Sequence, residues 1–264
     1  MVIFFMQHVS KSHLSDNIFS NLSGKEVKAN FKEVLSPQFY VRGVSGWSKT
    51  YYAFWAFGLA VLTYTGFVMT PFNTLSIPSW LGSIIGFTCV CAISNSSRLQ
   101  GLAGLISAAL IASVSIATGN YANAFMQFVY GMTLDVGSLM IGDRWTARET
   151  HNMDKFGYIM LSLGGILLWA FLFFMDLNVF HSPRAVIDSF EATLGVMSGM
   201  LLLFRYKSAY IGFTFSGIFS IVLWGITLKS GHPDSLVLFF NYILYLMNDG
   251  FALTISSWSY KNKK

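Results

Sequence analysis

The chain has 264 residues, 54% of them hydrophobic, 17% aromatic and only 11% charged, with a net charge of +5. That balance excludes an ordinary soluble domain, and the basic residues lie where they flank apolar runs instead of forming a nucleic-acid surface. The two cysteines, Cys89 and Cys91, sit in one apolar run and point in different directions on a helix, which disfavours a disulfide framework or a metal pair.

Residues 1–48 precede the first long apolar run. The stretch Val2–Met6 is too short for a secretory signal and no small-residue cleavage site follows it. Val27, Phe31, Val34 and Leu35 recur at helical spacing beside Lys25, Lys28 and Lys32, with Ser23 as an N-cap and Pro37 as a stop. The segment reads either as an amphipathic helix on the inner leaflet or as a solvated tail. Eight spans then follow at 49–70, 79–96, 100–118, 120–141, 157–176, 185–204, 208–228 and 235–257. Each is long enough, alone or with its flanks, for the roughly 20 residues a bilayer-crossing helix needs. Lipid leaves backbone groups no external partner, so the spans are helical.

Fifteen of the seventeen Lys and Arg residues share one side of the eight-span layout, leaving Arg184 and Lys229 on the other. The positive-inside rule places both termini in the cytoplasm of a multi-pass cell-membrane protein, including the short tail at 259–264. The transmembrane domain covers 49–258. Its first span stands outside a repeat: residues 79–141 and 185–258 each run from an arginine-ended span (Arg98, Arg205) through a Gly/Ser/Ala-rich span to a span bearing an amide, a tyrosine, an acid and a glycine. The span at 157–176 links the two copies. With an odd linker, the copies enter the membrane from the same side as parallel repeats, a common way to enclose a solute pathway. The predicted fold is all-α.

Asp135 and Asp249 are the most informative residues, because an acid within a span is costly and faces the bundle interior or a wet pathway. Asn241, Tyr245 and Asn248 fall at i, i+4 and i+7 on one side of the last span, while Asn123, Gln127 and Tyr130 drift around the fourth but keep to a similar flank as Asp135. Amides and tyrosines suit a hydroxylated, ring-bearing solute; they also suit two helices that bind one another. Tyr210 and Phe213 either stack on a planar ring or meet lipid. Asp188 and Glu191 open the sixth span, where they read first as capping residues and second as entrance residues. Small residues such as Gly101 and Gly104 read as close-packing positions. None of the five histidines falls inside a span, which disfavours an intramembrane zinc site or a serine protease. No cofactor and no enzymatic activity are expected.

The segments "IDSFEATLGVMSGMLLLFRYKSAYIGFTFSGIFSIVLWG" and "LVLFFNYILYLMNDGFALTISSW", with "RLQGLAGLISAALI" and "YANAFMQFVYGMTLDVGSLM" before them, resemble the PnuC-type vitamin transporters over residues 79–258. The resemblance rests on Arg98, Gln127, Gly137, Asp188, Arg205 and Gly250. It implies a SWEET-like fold and facilitated uptake of nicotinamide riboside or a related nucleoside-like vitamin through a mid-membrane pocket. A cytoplasmic kinase would trap the solute in that scheme. The family glutamine matches Gln127. Its tryptophans and asparagine after the second arginine are replaced, with Tyr210, Phe213 and Gly217 near their places, and Leu134 and Ser138 stand where an asparagine and tryptophan close the first repeat. These departures keep thiamine, riboflavin, deoxynucleosides and sugars open as solutes, with a non-transporting scaffold as the reading from another class. Whether the chain forms a homo-oligomer is open at this point.

Overall fold

The computed structural model describes residues 22–256 and 258; the tail at 259–264 and the segment before residue 22 lie outside them. Among the described residues, eight helices are long and apolar enough to cross a membrane. Each lies within three residues of its expected span at either end. Two shorter helices come first, α1 (Gly24–Glu33) and α2 (Pro37–Val44). The spans are α3 (Lys49–Tyr64, extended by a π-helical turn at Thr65–Met69), α4 (Ser76–Ser94), α5 (Leu99–Ala117) and α6 (Tyr121–Ile141). A short α7 (Asp143–Ala147) precedes α8 (Lys155–Asn178), α9 (Ala185–Leu203), α10 (Ala209–Lys229) and α11 (Ser235–Ile255).

Helix starts follow side-chain chemistry. Ser23, Ser36, Ser48 and Asp154 each accept a hydrogen bond from a backbone N–H in the first turn of α1, α2, α3 and α8, satisfying donors the helix leaves open. Pro37 does not merely stop α1. It opens α2, where its missing N–H costs nothing and its fixed φ is already helical. Helix α1 is also bonded to the bundle. The Asn30 amide donates to the Met140 carbonyl at 2.8 Å, Arg144 pairs with Glu26 at 2.8 Å, and Arg98 pairs with Glu33 at 2.6 Å. These bonds tie α1 to the basic end of the bundle.

Helices α4, α5, α6, α9, α10 and α11 contact one another in a closed ring. Helix α3 lies outside it against α4 and α11, and α8 lies outside against α9 and α6. Only 11% of the apolar window of α8 is buried, against 67% for α9, so α8 turns most of its surface outward while α9 lies inside the assembly. The corners after α4 and α9 share one backbone motif. Ser96 and Arg205 take positive φ values of 51° and 60°, and the next N–H returns to a carbonyl five residues back (Ser97 to Ala92, Tyr206 to Leu201, both 2.8 Å). This is a Schellman closure, which satisfies the last carbonyls of each helix.

Candidate functional site

The six-helix ring encloses a cavity with about 110 Å³ of room for the centres of water molecules. Every helix of the ring contributes to its wall. Cys89 and Gly86 come from α4, Gly104 and Ser107 from α5, Glu191 from α9, and Ser216 and Gly217 from α10. Among the residues expected to bind solute, Gln127, Tyr130, Asp135, Tyr210, Phe213, Tyr245, Asn248 and Asp249 all line it.

Backbone geometry explains how α6 presents so many of them. Residues Tyr130–Asp135 form a π-helical turn, whose wider winding carries Asp135 back round to the face that holds Gln127 and Tyr130. Insertions of this kind often mark functional positions. At ordinary helical winding the polar residues drift around the axis, as the sequence pattern shows. The π turn removes that drift.

Asn123 and Asn241 do not line the cavity, although both are fully buried. Asn123 sits in a polar network at the end of the bundle opposite the basic face. Its Nδ2 donates to Glu191 at 3.0 Å, and its Oδ1 accepts from the Ser115 hydroxyl at 2.8 Å. Asn241 lies one turn before Tyr245 on α11, and its amide makes no well-formed hydrogen bond among the described residues.

Asp188 caps a helix, but not its own. Its carboxylate accepts from the backbone N–H groups of Ala122 and Asn123, at 3.0 and 2.9 Å, and so closes the N-terminus of α6 from α9. Anions are favoured at that end of a helix. Glu191 accepts from the Ser220 hydroxyl at 2.6 Å and also faces the cavity. Sequence spacing placed it near the mouth, because distance along one helix says nothing about how far neighbouring helices extend beyond it. Beside this network, Arg184 donates from Nε to Asn120 at 2.7 Å and from Nη2 to the Thr118 carbonyl. Burial lowers the Arg184 pKa, and the nearby Asp188 partly restores it.

Aromatic rings gather at the basic end of the cavity. Tyr210 shares a hydrogen bond with Ser94 at 3.1 Å, and Ser94 also bonds Asn248. The Tyr210 ring packs edge-on to Trp258 with centroids 5.3 Å apart. Below it, the Arg205 guanidinium lies over the rings of both Trp145 and Trp258, 4.8 and 4.6 Å from their centroids, and the two rings pack on each other at 6.4 Å. Indole faces attract guanidinium by their quadrupole. Burial pushes the Arg205 pKa down to about 10, which leaves it charged at neutral pH. The two indoles are fixed in turn, Trp145 Nε1 on the Leu203 carbonyl (3.1 Å) and Trp258 Nε1 on the Ile93 carbonyl (3.3 Å).

Comparison with known proteins agrees with this layout. The profile of the family described as Nicotinamide mononucleotide transporter matches residues 76–259. The nicotinamide riboside transporter PnuC of Neisseria mucosa is 23% identical over 233 residues, covering 84% of this chain and 86% of that one. The crystal structure of the vitamin B3 transporter PnuC superposes with a TM-score of 0.71 at 19% identity, covering 84% of this chain and 96% of the other. At that identity the superposition establishes a shared fold.

Proposed function

Because this chain belongs to the family of nicotinamide mononucleotide transporters, we propose that it carries nicotinamide riboside, or a closely related nucleoside-like vitamin, across the cell membrane by facilitated diffusion. The family is one of multi-pass transporters, not of enzymes. The observation that carries the choice of solute is the charge of the cavity. Asp135, Glu191 and Asp249 line it, and no Lys, Arg or His does so among the described residues. A phosphomonoester brings about −1.5 to −2 charges at neutral pH, and nothing on this wall would compensate them. A riboside bearing a pyridinium ring meets carboxyl groups and no basic side chain.

In this reading Gln127 and Asn248 hydrogen-bond the ring amide or sugar, and Tyr130, Tyr245 and Tyr210 or Phe213 stack on the ring or gate the site. Asp135 and Asp249 accept from ribose hydroxyls. Asn241 supports Tyr245 from behind, and Asn123 acts through Glu191. The ring of six helices divides into two parallel units, 79–141 and 185–258, joined by the 157–176 span as in SWEET-like carriers, with 49–70 as an added N-terminal span. Rocking of the two units opens the cavity to either side. The basic face and both termini lie in the cytoplasm, where phosphorylation by a kinase traps the solute.

Calorimetric titration of the purified chain with nicotinamide riboside, nicotinamide mononucleotide, thiamine, riboflavin and deoxynucleosides tests the reading. The riboside should bind most tightly and the mononucleotide at least about tenfold more weakly. Equal or tighter mononucleotide binding, or binding of none of the nicotinamide compounds, overturns it.

A further inference from the structure

Three carboxyl groups face one cavity, and their surroundings differ. Glu191 is fully buried, and both of its oxygens hold donors: Ser220 Oγ on Oε1 at 2.6 Å and Asn123 Nδ2 on Oε2 at 3.0 Å. Asn123 is itself fixed at two further points, through its backbone N–H on Asp188 (2.9 Å) and its Oδ1 against Ser115 (2.8 Å). Its Nδ2 therefore points at Glu191 and cannot turn away. Asp135 and Asp249 are also buried, yet no hydrogen bond or ion pair reaches either carboxyl group among the described residues. Donors stabilise negative charge on a carboxylate, and their absence leaves it unsupported. Of the three, Glu191 is the one built to remain an anion.

We infer that Glu191 is the specificity-determining residue that reads the solute's charge, selecting a cationic ring over a neutral one of the same shape. The inference rests on the nucleoside-like solute proposed above and assigns its orientation. The charged ring lies toward Glu191 and Tyr242, and the sugar lies toward Asp135 and Asp249. Tyr242 lines the same end of the cavity, with its hydroxyl 3.4 Å from the Gln127 amide, and it offers the cation a π face as well. In a site shielded from water a single opposite charge is worth much more than at a surface. A neutral ring leaves the Glu191 charge buried with hydrogen bonds only. Asn123 and Ser220 are positioning residues, which act through the carboxylate they hold.

The test compares nicotinamide riboside with its neutral 1,4-dihydro form in calorimetric titrations of the full-length purified chain. The wild type should prefer the cation by about tenfold or more. Glu191→Gln should bring the ratio near unity while the dihydro form still binds, and Glu191→Asp, which keeps the charge, should retain most of the preference. Ser220→Ala removes one donor with little change of volume and should lower the ratio part-way; it serves if Glu191→Gln fails to fold. Equal wild-type affinity for the two forms overturns the inference and leaves the solute assignment standing. An unchanged ratio in Glu191→Gln, or equal weakening of both ligands, assigns Glu191 a structural role and also overturns it. Should neither form bind the wild type, the proposed function falls as well.

Discussion

Gly101 and Gly104 lie one turn apart on α5 and both face α6, yet adding a single methyl group should have opposite consequences at the two. A Cβ at Gly101 would sit 2.6 Å from Ser138 Oγ, 2.8 Å from Leu139 Cγ and 2.9 Å from the backbone carbonyl oxygen of Asp135. The carbonyl belongs to the helix backbone and cannot rotate aside, so α5 and α6 must separate. Overpacking of this kind costs about 1–3 kcal/mol, partly offset by the roughly 1 kcal/mol that Ala gains over Gly in a helix. A Cβ at Gly104 instead falls on the Asp135 carboxyl group. That group is the free end of a side chain and can swing further into the cavity. Gly104→Ala should therefore unfold within about 1 kcal/mol of the wild type, with the helix-propensity gain offsetting the displaced carboxyl group. Its affinity for solute should fall about tenfold, because a displaced carboxyl group occupies the sugar position. Gly101→Ala should lower the thermal midpoint in detergent by several degrees and leave solute affinity, measured below that midpoint, within about threefold. The reasoning fails if Gly104→Ala is the less stable of the two, or if it binds solute as the wild type does.

Asp188→Ala removes the acceptor of two backbone N–H groups at the start of α6 and exposes Asn123 to reorientation. A loss of about 1–2 kcal/mol in unfolding free energy is expected, with greater hydrogen exchange at Ala122 and Asn123; unchanged protection there would show that the cap is dispensable. Arg205→Gly relieves a left-handed backbone at φ 60°, worth about 1 kcal/mol, but loses two ring contacts of about 0.5–2 kcal/mol each. The variant should be less stable, with altered tryptophan fluorescence, and a more stable variant would mean that backbone strain outweighs the two indole contacts.

The eight spans were legible because length and hydropathy alone settle what can cross a bilayer, and the acids were legible because charge is rare there. Gln127, Asp135, Asn248 and Asp249 reach the cavity as their positions within spans required. The sequence pattern puts Asn123 with the solute-binding residues, but its amide is used by Glu191 and Ser115, and no single-helix pattern reports which neighbour claims a hydrogen bond. Glu191 reads from the sequence first as a capping and second as an entrance residue, for the same reason. The π turn at Tyr130–Asp135 had no signal in residue type, since it reflects how α6 packs and not a local propensity.

The two arginines that mark the repeat in sequence do different jobs in space. By letter, Arg98 and Arg205 are counterparts; by backbone, Arg205 corresponds to Ser96, because these are the residues at positive φ in matching Schellman corners. Arg98 falls two residues later, at the N-cap of α5, and pairs with Glu33 of α1 and with Asp143. Arg205 reaches across to its counterpart corner, donating to Ser96 Oγ at 3.3 Å, while Trp145 and Trp258 hold its plane. A left-handed corner favours Gly or Asn, so a large side chain there is retained for what it touches. It touches the other corner and both indoles. Any motion that parts the α4–α5 corner from the α9–α10 corner must break the Arg205–Ser96 bond. Trp145, held on the Leu203 carbonyl, stays with Arg205, while Trp258, whose indole N–H is held on the Ile93 carbonyl, must give up either that bond or its contact with Arg205.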